Sequence, residues 1–213
     1  MSLLEVIAVI VSLIGVWLTT RRNLLCWPVG LVSVGLYSWI FYHARLYSDC
    51  LLQCIFAVCL VYGWTRWLGA RGKDDRVIVL RLPARMAVAG IIFGTLGGTL
   101  LGLFMARFTD AVFPWLDATL TSFSLLGQFW TARRYLANWI LWIVVDIVYV
   151  GLYLFKQLYL TAGLYAAFVL LAYLGWRSWK LALGVSRESN YTNPARQVHP
   201  LKEPSPADVP LTD

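Results

Sequence analysis

The chain has 213 residues, 60% of them hydrophobic and 14% charged, with a mean hydropathy of +0.68. A water-soluble domain does not carry that balance, so the composition reads as an integral membrane protein. The formal charge of +7 sits in short loops between apolar runs, a pattern of membrane topology and anionic headgroups rather than of nucleic acid.

Seven apolar runs each approach the roughly 20 residues that a bilayer requires. The first, 4–20, follows "MSLLEV", which lacks the basic start of a secretory leader, so it is expected to remain as a span. The second, 24–43, holds Pro28 and is expected to bend near that end. The third, 49–68, contains Cys50, Cys54 and Cys59 together with Gln53 and Tyr62. A charged loop, "ARGKDDRVIVLRLPAR", leads to the fourth, 84–106. There Gly90, Gly94, Gly98 and Gly102 form a small-residue ridge suited to close helix approach, within the chain or between subunits. The fifth, 113–131, contains Gln128, and the sixth, 136–155, contains Asn138 and Asp146. The seventh, 159–180, gives way to a polar, Pro-rich tail that is expected to be flexible.

Orientation follows from the Lys and Arg residues. Fifteen fall on the side shared by the loops after runs 1, 3 and 5 and the C-terminus; three, Arg45, Arg107 and Lys156, fall on the other. That asymmetry puts the C-terminus in the cytoplasm and the N-terminus outside. Arg133 and Arg134 are read as topology markers of the same kind.

An internal repeat organises the chain. Sliding it by 112 residues lays "LIGVWLTTRRNLLCWPVGLVSVGLY" on "LLGQFWTARRYLANWILWIVVDIVY" without a gap. Arg21–Arg22 meets Arg133–Arg134, Trp27 meets Trp139, and Tyr37 meets Tyr149. Leu46–Tyr47 meets Leu158–Tyr159, and "GWTRW" meets "GWRSW". Apolar composition alone would not align these landmarks together, so duplication is the explanation. The expected fold is an all-α integral membrane protein of seven transmembrane helices. Two parallel three-helix repeats, 4–68 and 113–180, are joined by a loop and linker helix, 69–112, and followed by a tail, 181–213. An odd linker returns the chain to its starting side, so an axis along the membrane normal can relate the repeats, with a site between them.

On a helix, Asn138, Trp142, Asp146, Tyr149 and Tyr153 share one face. An ionisable group costs several kcal/mol in hydrocarbon, so that face is expected to look at protein or ligand. The counterparts in run 2 are Cys26, Gly30, Val34, Tyr37 and Phe41, which are expected to leave room. Asp146 has no Lys or Arg at comparable depth, so a cationic ligand could supply its partner, with Trp142 and Tyr149 offering ring faces. Asn138 offers a donor and an acceptor to a carboxamide or hydroxyl. Gln128, Gln53, Tyr62 and Tyr37 complete the candidate set. Bland readings exist for each: amides also join helices by hydrogen bonds, and Trp27, Trp64, Trp67, Trp139, Trp176 and Trp179 are read as an interfacial belt. With two histidines, His43 and His199, and no C-x-x-C pair, the cysteines are read as apolar packing, without metal or disulfide.

The "NWILWIVVDIVYVGLY" segment, the "LYLTAGLYAAF" after it, "LYSDCLLQ" in the first half and the Gly-Trp closing run 3 resemble the PnuC-type vitamin transporters, over about residues 8 to 180. The resemblance implies a SWEET-like three-plus-one-plus-three protomer, trimeric assembly, and facilitated diffusion of nicotinamide riboside. It further implies trapping by a cytoplasmic kinase. Asn138, Trp139, Trp142 and Asp146 match the substrate-binding helix of that family. Thiamine, riboflavin and deoxynucleosides are alternatives, and proton coupling stays open. No cofactor is implied.

Other classes fit less well. "GARGKDDR" lacks the spacing and hydroxyl of an ATP-binding loop. No nucleophile–base pair marks an enzyme. A purely structural protein would leave the one-sided polar stripe unexplained.

Overall fold

The computed structural model describes residues 3–43, 47–70, 77–109 and 113–191. Arg45, Leu46, loop residues 71–76, His199 and the tail from 192 onward, all used in the sequence reading, lie outside the described residues.

Seven helices follow one another: α1 (Leu3–Thr20), α2 (Cys26–His43), α3 (Tyr47–Leu68), α4 (Ala84–Phe108), α5 (Pro114–Ala132), α6 (Asn138–Phe155) and α7 (Tyr159–Tyr191). Five of them, α1, α3, α4, α6 and α7, are long and apolar enough to cross a membrane. α2 and α5 fall short of that test because serines, threonines, an aspartate, a glutamine and a histidine dilute their apolar residues. α7 runs past 180, where the apolar run ends, because hydropathy marks the span and not the helix; the next proline is Pro194.

Six helices close into a ring in which each packs on two neighbours, in the order α1, α2, α3, α5, α6, α7 and back to α1. α4 packs along α5, and its glycine ridge is used there. A Cβ on Gly90 would lie 2.8 Å from Trp130, one on Gly94 3.0 Å from Phe123, and one on Gly102 2.6 Å from Trp115. The ridge is therefore an intrachain contact rather than a free one.

The landmarks that align at the 112-residue offset recur as geometry. α1 ends with Arg22 N–H donating to Thr19 O (3.0 Å) and Asn23 N–H to Leu18 O (3.1 Å); α5 ends the same way, Arg134 to Thr131 (2.9 Å) and Tyr135 to Trp130 (3.0 Å). Arg22 (φ 58°) and Arg134 (φ 64°) occupy the left-handed position of this helix-ending turn. The Arg21 guanidinium lies 5.2 Å above Trp17, and that of Arg133 lies 5.3 Å above Phe129. The arginine pairs thus end helices.

Two sequence expectations are corrected here. Pro28 lies in the first turn of α2, which begins at Cys26 rather than 24. A proline there lacks only an N–H that the helix would not have used, so it requires no bend. The tryptophans are not a belt: Trp27, Trp67, Trp139 and Trp179 are among the most buried residues. Trp27 meets Trp67 edge-on at 5.1 Å, Trp139 meets Trp179 edge-on at 5.4 Å, and Trp67 and Trp179 touch across the centre at 5.9 Å. Each ring pair contributes about 0.5–1.5 kcal/mol beyond the area it buries. Two crosswise hydrogen bonds join the halves: Trp67 Nε1 donates to Thr131 O and Trp179 Nε1 to Thr19 O, both at 3.1 Å.

A short extended strap, residues 77–80, lies against this cluster, with Val77 and Val79 buried in it. Leu80 N–H donates to Arg134 O (2.9 Å) and Leu136 N–H to Leu80 O (3.0 Å). Burial, with Arg66 nearby, pulls the Arg134 guanidinium below its usual pKa.

Candidate functional site

Inside the ring is a cavity of about 640 Å³, to which all six ring helices contribute, together with Met105 of α4. That volume suits a small organic ligand. On α6 its lining runs from Asn138 and Trp139 through Trp142, Asp146, Tyr149 and Tyr153 to Lys156 just beyond the helix. At 1.5 Å per residue the lined stretch is about 27 Å long.

The predicted stripe on α6 therefore faces the cavity, and Gln128 and Gln53 face it from α5 and α3. Tyr37 and Tyr62 do not line it. Tyr37 stacks on Phe41 at 5.9 Å, and Tyr62 lies parallel to Phe129 at 6.2 Å. Of the α2 counterparts of the stripe, Phe41 alone lines the cavity. The room expected at Gly30 is already filled, since a Cβ there would lie 3.0 Å from Leu60.

Asp146 is buried, 5% exposed, and no cation pairs with it among the described residues. Rings surround that level: Tyr149 and Tyr165 are 4.7 Å apart, Tyr153 and Tyr165 5.1 Å, Tyr149 and Tyr153 5.9 Å. A buried carboxylate among ring faces is suited to a delocalised cation, which would meet both charge and quadrupole.

Asn138, 0% exposed, begins α6, and its Nδ2 donates to Tyr135 O. Its Oδ1 has no partner among the described residues, and neither has Trp139 Nε1. An orphaned buried polar atom costs about 1–3 kcal/mol. Both atoms are closed off from the cavity as the side chains stand, as is the unpartnered Trp27 Nε1, so an amide or a hydroxyl meets them only after a side chain turns. Trp139 itself is fixed by Gly175, where a Cβ would lie 2.6 Å from its ring. Trp142 stands against α5, 3.1 Å from where a Cβ on Gly127 would lie, and its Nε1 donates to Thr131 Oγ1 at 3.3 Å.

Sequence reasoning picked out only Gln128 on the α5 wall and missed the rest. Asp117, Thr121, Ser124, Gln128 and Thr131 all line the cavity. Their spacing of four, three, four and three is one helix face, a signal that could have been read as easily as the α6 stripe.

Comparison with known proteins places this geometry. The family model described as "Nicotinamide mononucleotide transporter" matches residues 2–181. The nicotinamide riboside transporter PnuC of Escherichia coli K12 is 23% identical over 207 residues, covering 84% of this chain and 85% of that protein. The riboflavin/roseoflavin transporter RibM of Streptomyces davaonensis is 27% identical over 182 residues, covering 83% and 84%. A crystal structure of the vitamin B3 transporter PnuC superposes with a TM-score of 0.70 at 22% identity, over 85% of this chain and 82% of that one. With the family model spanning all seven helices to Trp179 and Leu181, the chain belongs to the nicotinamide mononucleotide transporter family, a family of membrane transporters.

Proposed function

We propose that this protein carries nicotinamide riboside across the bacterial cytoplasmic membrane by facilitated diffusion, and that cytoplasmic phosphorylation traps the product. The observation that carries the reading is Asp146, buried in the cavity without a cationic partner among the described residues and flanked by ring faces. Nicotinamide riboside brings a pyridinium for the carboxylate and rings. It also brings a carboxamide and ribose hydroxyls for Asn138 Oδ1, Trp139 Nε1, Gln128 and Gln53. Riboflavin is the second reading, favoured by the RibM relative; it is neutral and would leave Asp146 unpaired.

The architecture belongs to the same proposal: two three-helix repeats, α1–α3 and α5–α7, joined by α4, with the C-terminus cytoplasmic and the N-terminus outside. The recurrent helix endings and the crosswise tryptophan bonds support it. A trimer is part of the same proposal, and the exposed outer face of α4 (Phe93, Leu96, Leu100) offers it an apolar contact surface. A mass measurement in detergent tests that assembly.

The test of function is a thermal-shift series on purified protein with nicotinamide riboside, thiamine and riboflavin, followed by uptake into proteoliposomes. A ligand that binds only the folded state raises the melting temperature. Nicotinamide riboside should give the largest shift and should equilibrate without a pH gradient. A larger shift with riboflavin transfers the assignment, and a gradient requirement replaces diffusion with coupling.

A further inference from the structure

We propose that Thr131 is a positioning residue that holds the Trp142 indole against the cavity wall and joins it to the tryptophan cluster at that end of the ring; this rests on the substrate reading above. Thr131 is buried in the last turn of α5, and its hydroxyl and its carbonyl each accept a hydrogen bond from a tryptophan. Its Oγ1 donates to Gly127 O at 2.9 Å, which leaves a lone pair to accept Trp142 Nε1 at 3.3 Å. Its carbonyl, at the end of the helix, accepts both Arg134 N–H at 2.9 Å and Trp67 Nε1 at 3.1 Å. Gly127, one turn back on the same face, lets the ring lie flat; a Cβ there would be 3.1–3.4 Å from it. Glycine and threonine together form a seat that fixes both the plane and the N–H of the indole.

The first half keeps the glycine and threonine of the seat but closes it with α2, where Val29 and the Gly30 backbone stand against Gly15. Thr19 Oγ1 donates to Gly15 O at 2.9 Å and the Thr19 carbonyl accepts Trp179 Nε1, but the twin of Trp142 is Gly30. Thr19 therefore shares the Gly–carbonyl and tryptophan bonds, with Cys26 rather than an indole beside its hydroxyl. Both threonines line the cavity, so their difference isolates the positioning role.

Thr131→Val, Thr131→Ser and Thr19→Val are compared with the parent in three measurements: affinity for nicotinamide riboside by calorimetry, melting temperature, and the 15N-indole resonance of Trp142. That resonance is identified by its loss in Trp142→Phe. Thr131→Val should weaken binding about three- to tenfold, the worth of one hydrogen bond. It should also shift the indole resonance, with a melting temperature matching that of Thr19→Val. Thr131→Ser should restore both affinity and resonance, and Thr19→Val should leave the resonance in place. An unmoved resonance in Thr131→Val, or equal weakening in both valine variants, overturns the proposal. If the parent does not bind nicotinamide riboside, the substrate reading falls, and the resonance by itself decides whether Thr131 holds the indole.

Discussion

At Gly15 and Gly30 the first half brings α1 and α2 almost into backbone contact: a Cβ on Gly15 would lie 3.8 Å from the Gly30 nitrogen. At the equivalent place the second half inserts the Trp142 indole between Gly127 and the α6 backbone. The two halves share helix endings, cation–ring contacts and crosswise bonds, yet one seam is closed and the other is parted by a ring. The recurring contacts are common to both seams, and the large residue that stands where the other seam has a glycine makes one of them a cavity wall. Asp146, Asn138 and Gln128 all belong to the parted half, and their twins in the closed half are Val34, Cys26 and Val16.

The largest expected effects fall where the halves agree. Gly63 faces Trp27 and Gly175 faces Trp139, with no space for a Cβ beside either ring. Gly63→Ala and Gly175→Ala should each destabilise by about 3 kcal/mol or more, since overpacking a rigid, buried indole displaces the cluster. Melting curves in detergent check this; a drop confined to one variant would mean that the cluster is less symmetric than its geometry.

The next effects fall where the halves differ. Trp142→Gly should lose binding and also stability, by about 3 kcal/mol, as a ring leaves a void between α5 and α6. Gly30→Trp is not its mirror image. The new indole meets Leu60 of α3, so it should lower the melting temperature by the equivalent of about 1–3 kcal/mol without filling the cavity. Measuring affinity and melting temperature on both variants separates these outcomes; an unaltered melting temperature with lost binding in Gly30→Trp would put that side chain in the cavity after all.

Asp146→Asn should fold and weaken a cationic ligand by about 1.5–3 kcal/mol, the range for a hydrogen bond to a charged group. A neutral analogue should lose much less. Equal losses, measured by calorimetry, would remove charge pairing from the binding scheme.

The smallest effect concerns a third helix ending of the same kind. Gln157 (φ 59°) follows α6, where Leu158 N–H donates to Tyr153 O at 2.8 Å and Gln157 N–H to Leu154 O at 3.0 Å. Its exposed side chain in a left-handed position costs about 1 kcal/mol relative to glycine. Gln157→Gly should raise the melting temperature slightly, whereas Arg134→Gly gains the same relief but forfeits the bond from Arg134 Nη1 to Ile78 O. A gain at both sites would mean that the strap bond contributes nothing.

Helix positions were legible because apolar length and the paired landmarks mark them directly, and the α6 stripe was legible because Asn138 and Asp146 stand out in an apolar run. What was not legible depends on partners from distant helices. A tryptophan at a span end reads equally as belt or core until Gly63 or Gly175 is seen opposite it. Gly30 reads as open space until Leu60 is seen to fill it. The strap was hidden in a charged loop, although both of its valines are buried.

The crosswise tryptophan bonds bear on how this end of the ring can open. Each indole hangs from a carbonyl of the opposite half, so drawing the halves apart breaks both bonds in one movement, and pivoting about one still breaks the other. Together they represent about 1–3 kcal/mol, plus the contact between the two rings. The pair works as a double latch: full separation here requires both bonds to break, whichever goes first.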